Sequence, residues 1–121
     1  MDIRKLQKIV VSALEDIKGK DIEVINTTKL SSLFDRLVIA SGDSNRQVKA
    51  LARHVQEKAR EAGVTVISVE GEDSGEWVLV DLGDLVVHVM QPTVRRYYNL
   101  EELWQMTPAQ RRQAAGQAAA E

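Results

Sequence analysis

The chain has no cysteine. That excludes a disulfide framework, a thiolate zinc site and a cysteine nucleophile. Histidine is nearly as scarce: only His54 and His88 are present, so a metal centre or a Ser–His–Asp triad would have to converge on one of them. No apolar run reaches membrane-spanning length, and the start, Met-Asp-Ile-Arg-Lys, has no long apolar core. A basic excess is also missing. Lys and Arg number 16 against 18 Asp and Glu, the formal net charge is −2, and the pI is about 5.7. A protein that grips nucleic acid through many phosphates carries a Lys/Arg stripe instead. The expectation is a cytoplasmic protein with no membrane anchor, no cofactor, no metal and no direct sequence-specific nucleic-acid binding. An acidic balance suits a basic protein partner.

What is present is enough for one real core. The 121 residues read as a single domain over residues 1–106, with a Gln/Ala-rich tail over 107–121 expected to be weakly helical or disordered. The organising stretch runs from Trp77 to Tyr98. Two β-branched runs, Trp77 to Leu82 and Leu85 to Met90, flank Gly83-Asp84. This is a strand, a tight turn and a returning strand, because glycine takes φ > 0 without a Cβ clash. Val78, Val80 and Leu82 share one face; Trp77, Leu79 and Asp81 share the other, and the returning strand adds Val86, His88 and Met90. Strands apolar on both faces belong inside a sheet.

Ahead of this hairpin, Ile3, Leu6, Val10, Ala13, Leu14 and Ile17 form one helical stripe, with Asp2 as its cap and Gly19 as its end. Strands follow at Asp21 to Asn26 and, after Leu30, Leu33 and Phe34, at Arg36 to Ala40. Ser41-Gly42-Asp43-Ser44 then opens a second helix, in which Ser44 and Gln47 fit a capping box. Val48, Leu51, Val55, Ala59 and Ala62 form its buried stripe, and Gly63 ends it. Thr65 to Val69 reads as a short strand, and Glu70 to Glu76 as a solvated acidic turn. Beyond Pro92, Arg95-Arg96 and Tyr97-Tyr98 begin a segment that is helical or irregular, and Thr107-Pro108 fits another helix start. The fold class is therefore α+β: a mixed sheet of about five strands, two long helices and short C-terminal helices. If both long helices cover one side, the other stays open to a partner or to a second copy of the chain as a homodimer.

The chemistry available is limited. Ser41 and Ser44 are explained by a turn and a cap, which weakens both the hydrolase and the anion-site readings. His88, Asp81 and Asp84 could approach a metal, but a packed or partner-facing histidine is the simpler role. A nucleotidyltransferase needs a Gly-Ser loop and acids two apart on one strand face to hold Mg²⁺. Asp81 and Asp84 are three apart across a turn. The chain is read as not an enzyme.

Two stretches carry a family resemblance. One is Phe34-Asp-Arg-Leu-Val-Ile-Ala-Ser-Gly-Asp-Ser-Asn-Arg-Gln-Val-Lys-Ala50. The other is Gly71 with Trp77 to Met90, followed by Arg96-Tyr-Tyr-Asn-Leu-Glu-Glu-Leu-Trp104. Together, in this order and spacing, they resemble the Iojap-related ribosomal silencing factor family, with Arg36 standing where the family usually has an aromatic residue. The resemblance implies a nucleotidyltransferase-like topology without the chemistry. It also implies binding to the large ribosomal subunit through its protein uL14, so that the small subunit cannot join and translation is damped when nutrients are short. The residues themselves add a candidate contact surface: Trp77, Leu79, Asp81, Asp84, His88, Tyr97, Tyr98 and Asn99, with the aromatics as anchors.

Overall fold

The computed structural model describes residues 1–105. The expectations for 107–121, Thr107-Pro108 included, lie outside them. Helix α1, Ile3–Asp16, starts where the Asp2 carboxylate accepts the Arg4 amide at 2.8 Å. It buries Leu6, Val10, Ala13 and Leu14. Its end differs from the expectation. Lys18, not Gly19, takes the left-handed conformation (φ 59°). Gly19 has another role: its N–H reaches the Leu14 carbonyl at 2.8 Å. A Cβ on it would sit 3.0 Å from that oxygen and 3.2 Å from a Leu51 methyl. The glycine permits a close approach of strand, helix end and second helix.

Strands β1 (Lys20–Asn26) and β2 (Arg36–Ser41) pair antiparallel. Helix α2, Asn45–Glu61, begins at Ser44, whose hydroxyl accepts the Gln47 amide at 3.1 Å. The return bond of the capping box goes one residue further out. The Gln47 side-chain oxygen accepts from the Asp43 amide (2.9 Å), while its NH₂ reaches the Ile17 and Lys18 carbonyls (3.4 and 3.3 Å). One glutamine thus satisfies the start of α2 and the end of α1 together. The third strand is also displaced from its expected span. β3 is Ser68–Glu70 rather than Thr65 to Val69, because Val64 is still bonded to the Ala59 carbonyl of α2 and Val66 packs on the helix-side core.

β4 (Trp77–Asp81) and β5 (Leu85–Met90) form the hairpin. The Leu82 amide bonds the Leu85 carbonyl at 3.0 Å across Gly83-Asp84, and Gly83 has φ +92°. A positive φ at the first residue of a two-residue loop matches the twist of the strands it joins. Sheet order is β1-β2-β5-β4-β3, with β2 parallel to β5 and the other pairs antiparallel. Both hairpin strands have neighbours on either side, and all six residues of β5 are buried.

The two faces carry separate cores. Val38, Ala40, Val78, Val80, Leu85, Val87 and Val89 meet α1 and α2. On the opposite face, Ile25, Leu37, Ile39, Val86 and Met90 form a second cluster. Both long helices lie on the first face, but the second is not simply open, contrary to the expectation. Pro92 starts helix α3 (Pro92–Tyr98) directly after β5, and a left-handed Asn99 (φ 48°) turns the chain into α4 (Leu100–Gln105). Val94, Leu100 and Trp104, with Phe34, fold back over the cluster. Removing these apolar side chains and the cluster beneath them from water favours this return.

Candidate functional site

Alternation along β4 places Trp77, Leu79 and Asp81 on the second face, opposite Met90, His88 and Val86 of β5. All three are half-buried, and His88 is only 9% exposed. The Trp77 indole N–H donates to His88 Nδ1 at 2.8 Å. Because the indole can only donate, Nδ1 must be the acceptor, and the neutral ring carries its proton on Nε2. Burial lowers the His88 pKa from 6.5 to about 4, so the ring is neutral near pH 7. Tyr98 lies against Trp77 with ring centroids 4.7 Å apart, and Tyr97 meets Tyr98 edge-on at 5.0 Å. Tyr97 is 82% exposed and Tyr98 53%. The neighbouring tyrosines therefore present one continuous aromatic edge.

The surface divides into two adjoining grooves, one on each side of the bonded Trp77–His88 pair. The first, of about 520 Å³, is lined by Leu79, Asp81 and His88 with Leu33, Phe34, Ile67, Val86, Leu100 and Trp104. The second, of about 420 Å³, is lined by Trp77, Tyr97 and Tyr98 with Ser74, Glu76, Thr93 and Val94. Two expected members fall outside both. Asp84 sits exposed in the hairpin turn, and its carbonyl accepts from the Asp35 and Arg36 amides at 2.7 and 3.1 Å, fixing the start of β2. Asn99 lines a separate polar hollow beside Arg95 and Glu101. Two members were missed by the sequence pattern: Leu33 and Ile67, 81% and 62% exposed. For Leu33 the available signal was a large aliphatic residue in a loop with no buried stripe to join; Ile67 falls inside the strand expected over Thr65 to Val69.

The loop before α2 has its polar groups engaged within the protein. Ser41 Oγ accepts from Arg95 at 2.9 Å, the Gly42 amide bonds the Met90 carbonyl at 3.0 Å, and the Asp43 amide is held by Gln47. The Asp43 carboxylate pairs with Lys20. A phosphate would have to displace these partners. Arg95 is itself consumed by Glu101 and Glu23. Asp81 Oδ1 accepts the Gly83 amide at 2.8 Å. His54 lies far from this surface, between Asp16 of α1 (3.1 Å) and Glu57 (3.8 Å). Among the described residues, no three His, Asp or Glu side chains converge as a metal site requires, and no helix is long and apolar enough to cross a membrane.

Comparison with known proteins agrees with this architecture. The family model described as "Ribosomal silencing factor during starvation" matches residues 1–121. A ribosomal silencing factor of Chromobacterium violaceum is 62% identical over 104 residues, covering 86% of this chain and 85% of the relative. One of Bacillus subtilis is 42% identical over 108 residues, covering 89% and 92%. The crystal structure of a Chromobacterium violaceum protein, 62% identical, aligns with a TM-score of 0.85 over 86% of this chain and 87% of that one. A match along the whole chain, with the five-stranded sheet and C-terminal helices in place, assigns this protein to the ribosomal silencing factor family.

Proposed function

We propose that the protein is a cytoplasmic translational repressor that binds the large ribosomal subunit through its protein uL14 and blocks joining of the small subunit when nutrients are limiting. The mechanism is steric: no bond is made or broken, and a docked domain occupies volume on the inter-subunit face. Family membership supports the ribosomal role. The observation that carries the contact surface is the exposed apolar rim, Leu33 and Ile67, standing over the half-buried Leu79 beside Asp81. Large apolar side chains so exposed on a small domain mark a surface that something covers. The Trp77–Tyr98–Tyr97 edge extends it with the residue types that anchor interfaces.

The double variant Leu33→Ser/Ile67→Ser tests this surface. Both residues are exposed, so the fold should remain. Binding to purified large subunits, measured by co-sedimentation, is expected to weaken roughly tenfold or more, as loss of interface anchors does. Unchanged binding by the folded double variant would remove this rim from the contact.

A further inference from the structure

We infer that the groove between Leu33 and Ile67 receives a peptide segment that offers, beside a large apolar side chain, a neutral group able both to accept and to donate a hydrogen bond. A main-chain peptide or a side-chain hydroxyl has this character. The inference rests on the proposed docking function and concerns what the partner must present.

Two ionisable side chains interrupt the apolar groove lining, Asp81 and His88, and among the described residues they are its only titratable members. Each has one atom committed inside the protein and one without a partner among the described residues. Asp81 Oδ1 holds the Gly83 amide, which leaves Oδ2 as a vacant acceptor. His88 Nδ1 holds the Trp77 indole, which leaves Nε2. The indole has no acceptor character, so Nε2 must be the protonated nitrogen and hence a donor. The tautomer is dictated by a neighbour outside the groove. Asp81 pairs with Val86 across the strands, so His88 is its diagonal neighbour, with Cβ atoms about 7–8 Å apart or somewhat less. One small polar group fits between a donor and an acceptor at that spacing.

This pairing selects against a lone cation. A lysine or arginine would satisfy Asp81 but set its own N–H groups against the Nε2–H of His88. A carboxylate would satisfy His88 and oppose Asp81. A peptide group or hydroxyl satisfies both, and the apolar rim takes the adjoining side chain. The groove floor therefore reads a neutral group.

The test measures dissociation constants of the full-length chain and three variants for purified large ribosomal subunits, at low and at physiological salt. Asp81→Asn keeps the acceptor for Gly83 but turns the outer oxygen into a donor. His88→Gln offers an acceptor to Trp77 and a donor to the groove; His88→Met offers neither. The expected result is a loss of about tenfold for Asp81→Asn, equal at both salt concentrations because no ion pair is broken. His88→Met should lose a similar factor and His88→Gln recover most of it. Asp81→Asn binding as tightly as the wild type would overturn the inference, and so would a loss confined to low salt, which would mean a cation sits on Asp81. Failure of His88→Gln to bind better than His88→Met would overturn it as well. Failure of the wild-type chain to bind large subunits at all would overturn the docking function itself, and this proposal with it.

Discussion

His88 is the residue whose environment departs most from its chemistry in water. Its pKa falls to about 4 through burial, and its Nδ1 is occupied by the Trp77 indole. The unfolded chain takes up a proton near pH 6.5 that the folded chain refuses until about pH 4. Stability is therefore undiminished by this residue above pH 6.5 and falls as pH drops through that window. One proton over such a shift is on the order of 3 kcal/mol. Urea unfolding at pH 7 and at pH 4.5 should show this loss in the wild type, beyond whatever the carboxylates contribute, and a smaller loss in His88→Gln. Equal pH dependence in both would mean that His88 titrates normally. The alternation that put Trp77 and His88 on one face was legible in the sequence. Their bond was not, since it joins diagonal positions and depends on register. Arg36 was opaque for a related reason. Its guanidinium reaches Gln7 of α1 (3.0 Å), Thr28 (3.2 Å) and its own neighbour's carbonyl (2.9 Å), partners scattered along the chain.

At the scale of elements, the hairpin, both long helices and the Asp2 and Ser44 caps could be read from periodicity and local hydrogen-bonding rules. These depend on residues a few positions apart. The end of α1 and the span of β3 could not, because each is decided by a distant neighbour: Leu51 crowding Gly19, and the α2 terminus holding Val64. The same holds for α4, which is tied to the second face by one arginine in addition to the packing of Leu100 and Trp104. The Arg95 side chain is 12% exposed and joins Ser41 at the end of β2, Glu101 of α4 and Glu23 of β1. Removing one partner of a mostly buried charged network leaves the others unpaired. Arg95→Met is therefore expected to lower stability by about 2 kcal/mol. Amide exchange should accelerate selectively over Leu100–Gln105, where the clamp acts. Unchanged protection of α4 would show that Leu100 and Trp104 hold it without Arg95.

On the scale of the whole molecule, the described residues form a sheet with one face sealed by two long helices and the other partly covered by two short ones. Binary patterning conveyed most of the first face, although Ala52 rather than Ala62 completes the buried stripe of α2. It misjudged the second, where the 3.6-residue pattern of α3 and α4 is too short to reveal where they fold back. Leu79, Asp81 and His88 came together in one groove, and Trp77, Tyr97 and Tyr98 in the next, whereas Asp84 and Asn99 serve the turn and the α3–α4 junction. What the described residues leave uncovered is the surface proposed for contact. In the function proposed above, the protein is an obstacle on a ribosomal subunit.

Light scattering of purified large and small subunits mixed at a magnesium concentration that favours joining measures this most directly. Large subunits first incubated with the protein should give a joining amplitude that falls with protein concentration and saturates near one protein per large subunit. The Leu33→Ser/Ile67→Ser protein should need at least about ten times more for the same effect. Full joining in the presence of excess wild-type protein, with that protein sedimenting on the joined ribosomes, would contradict the account.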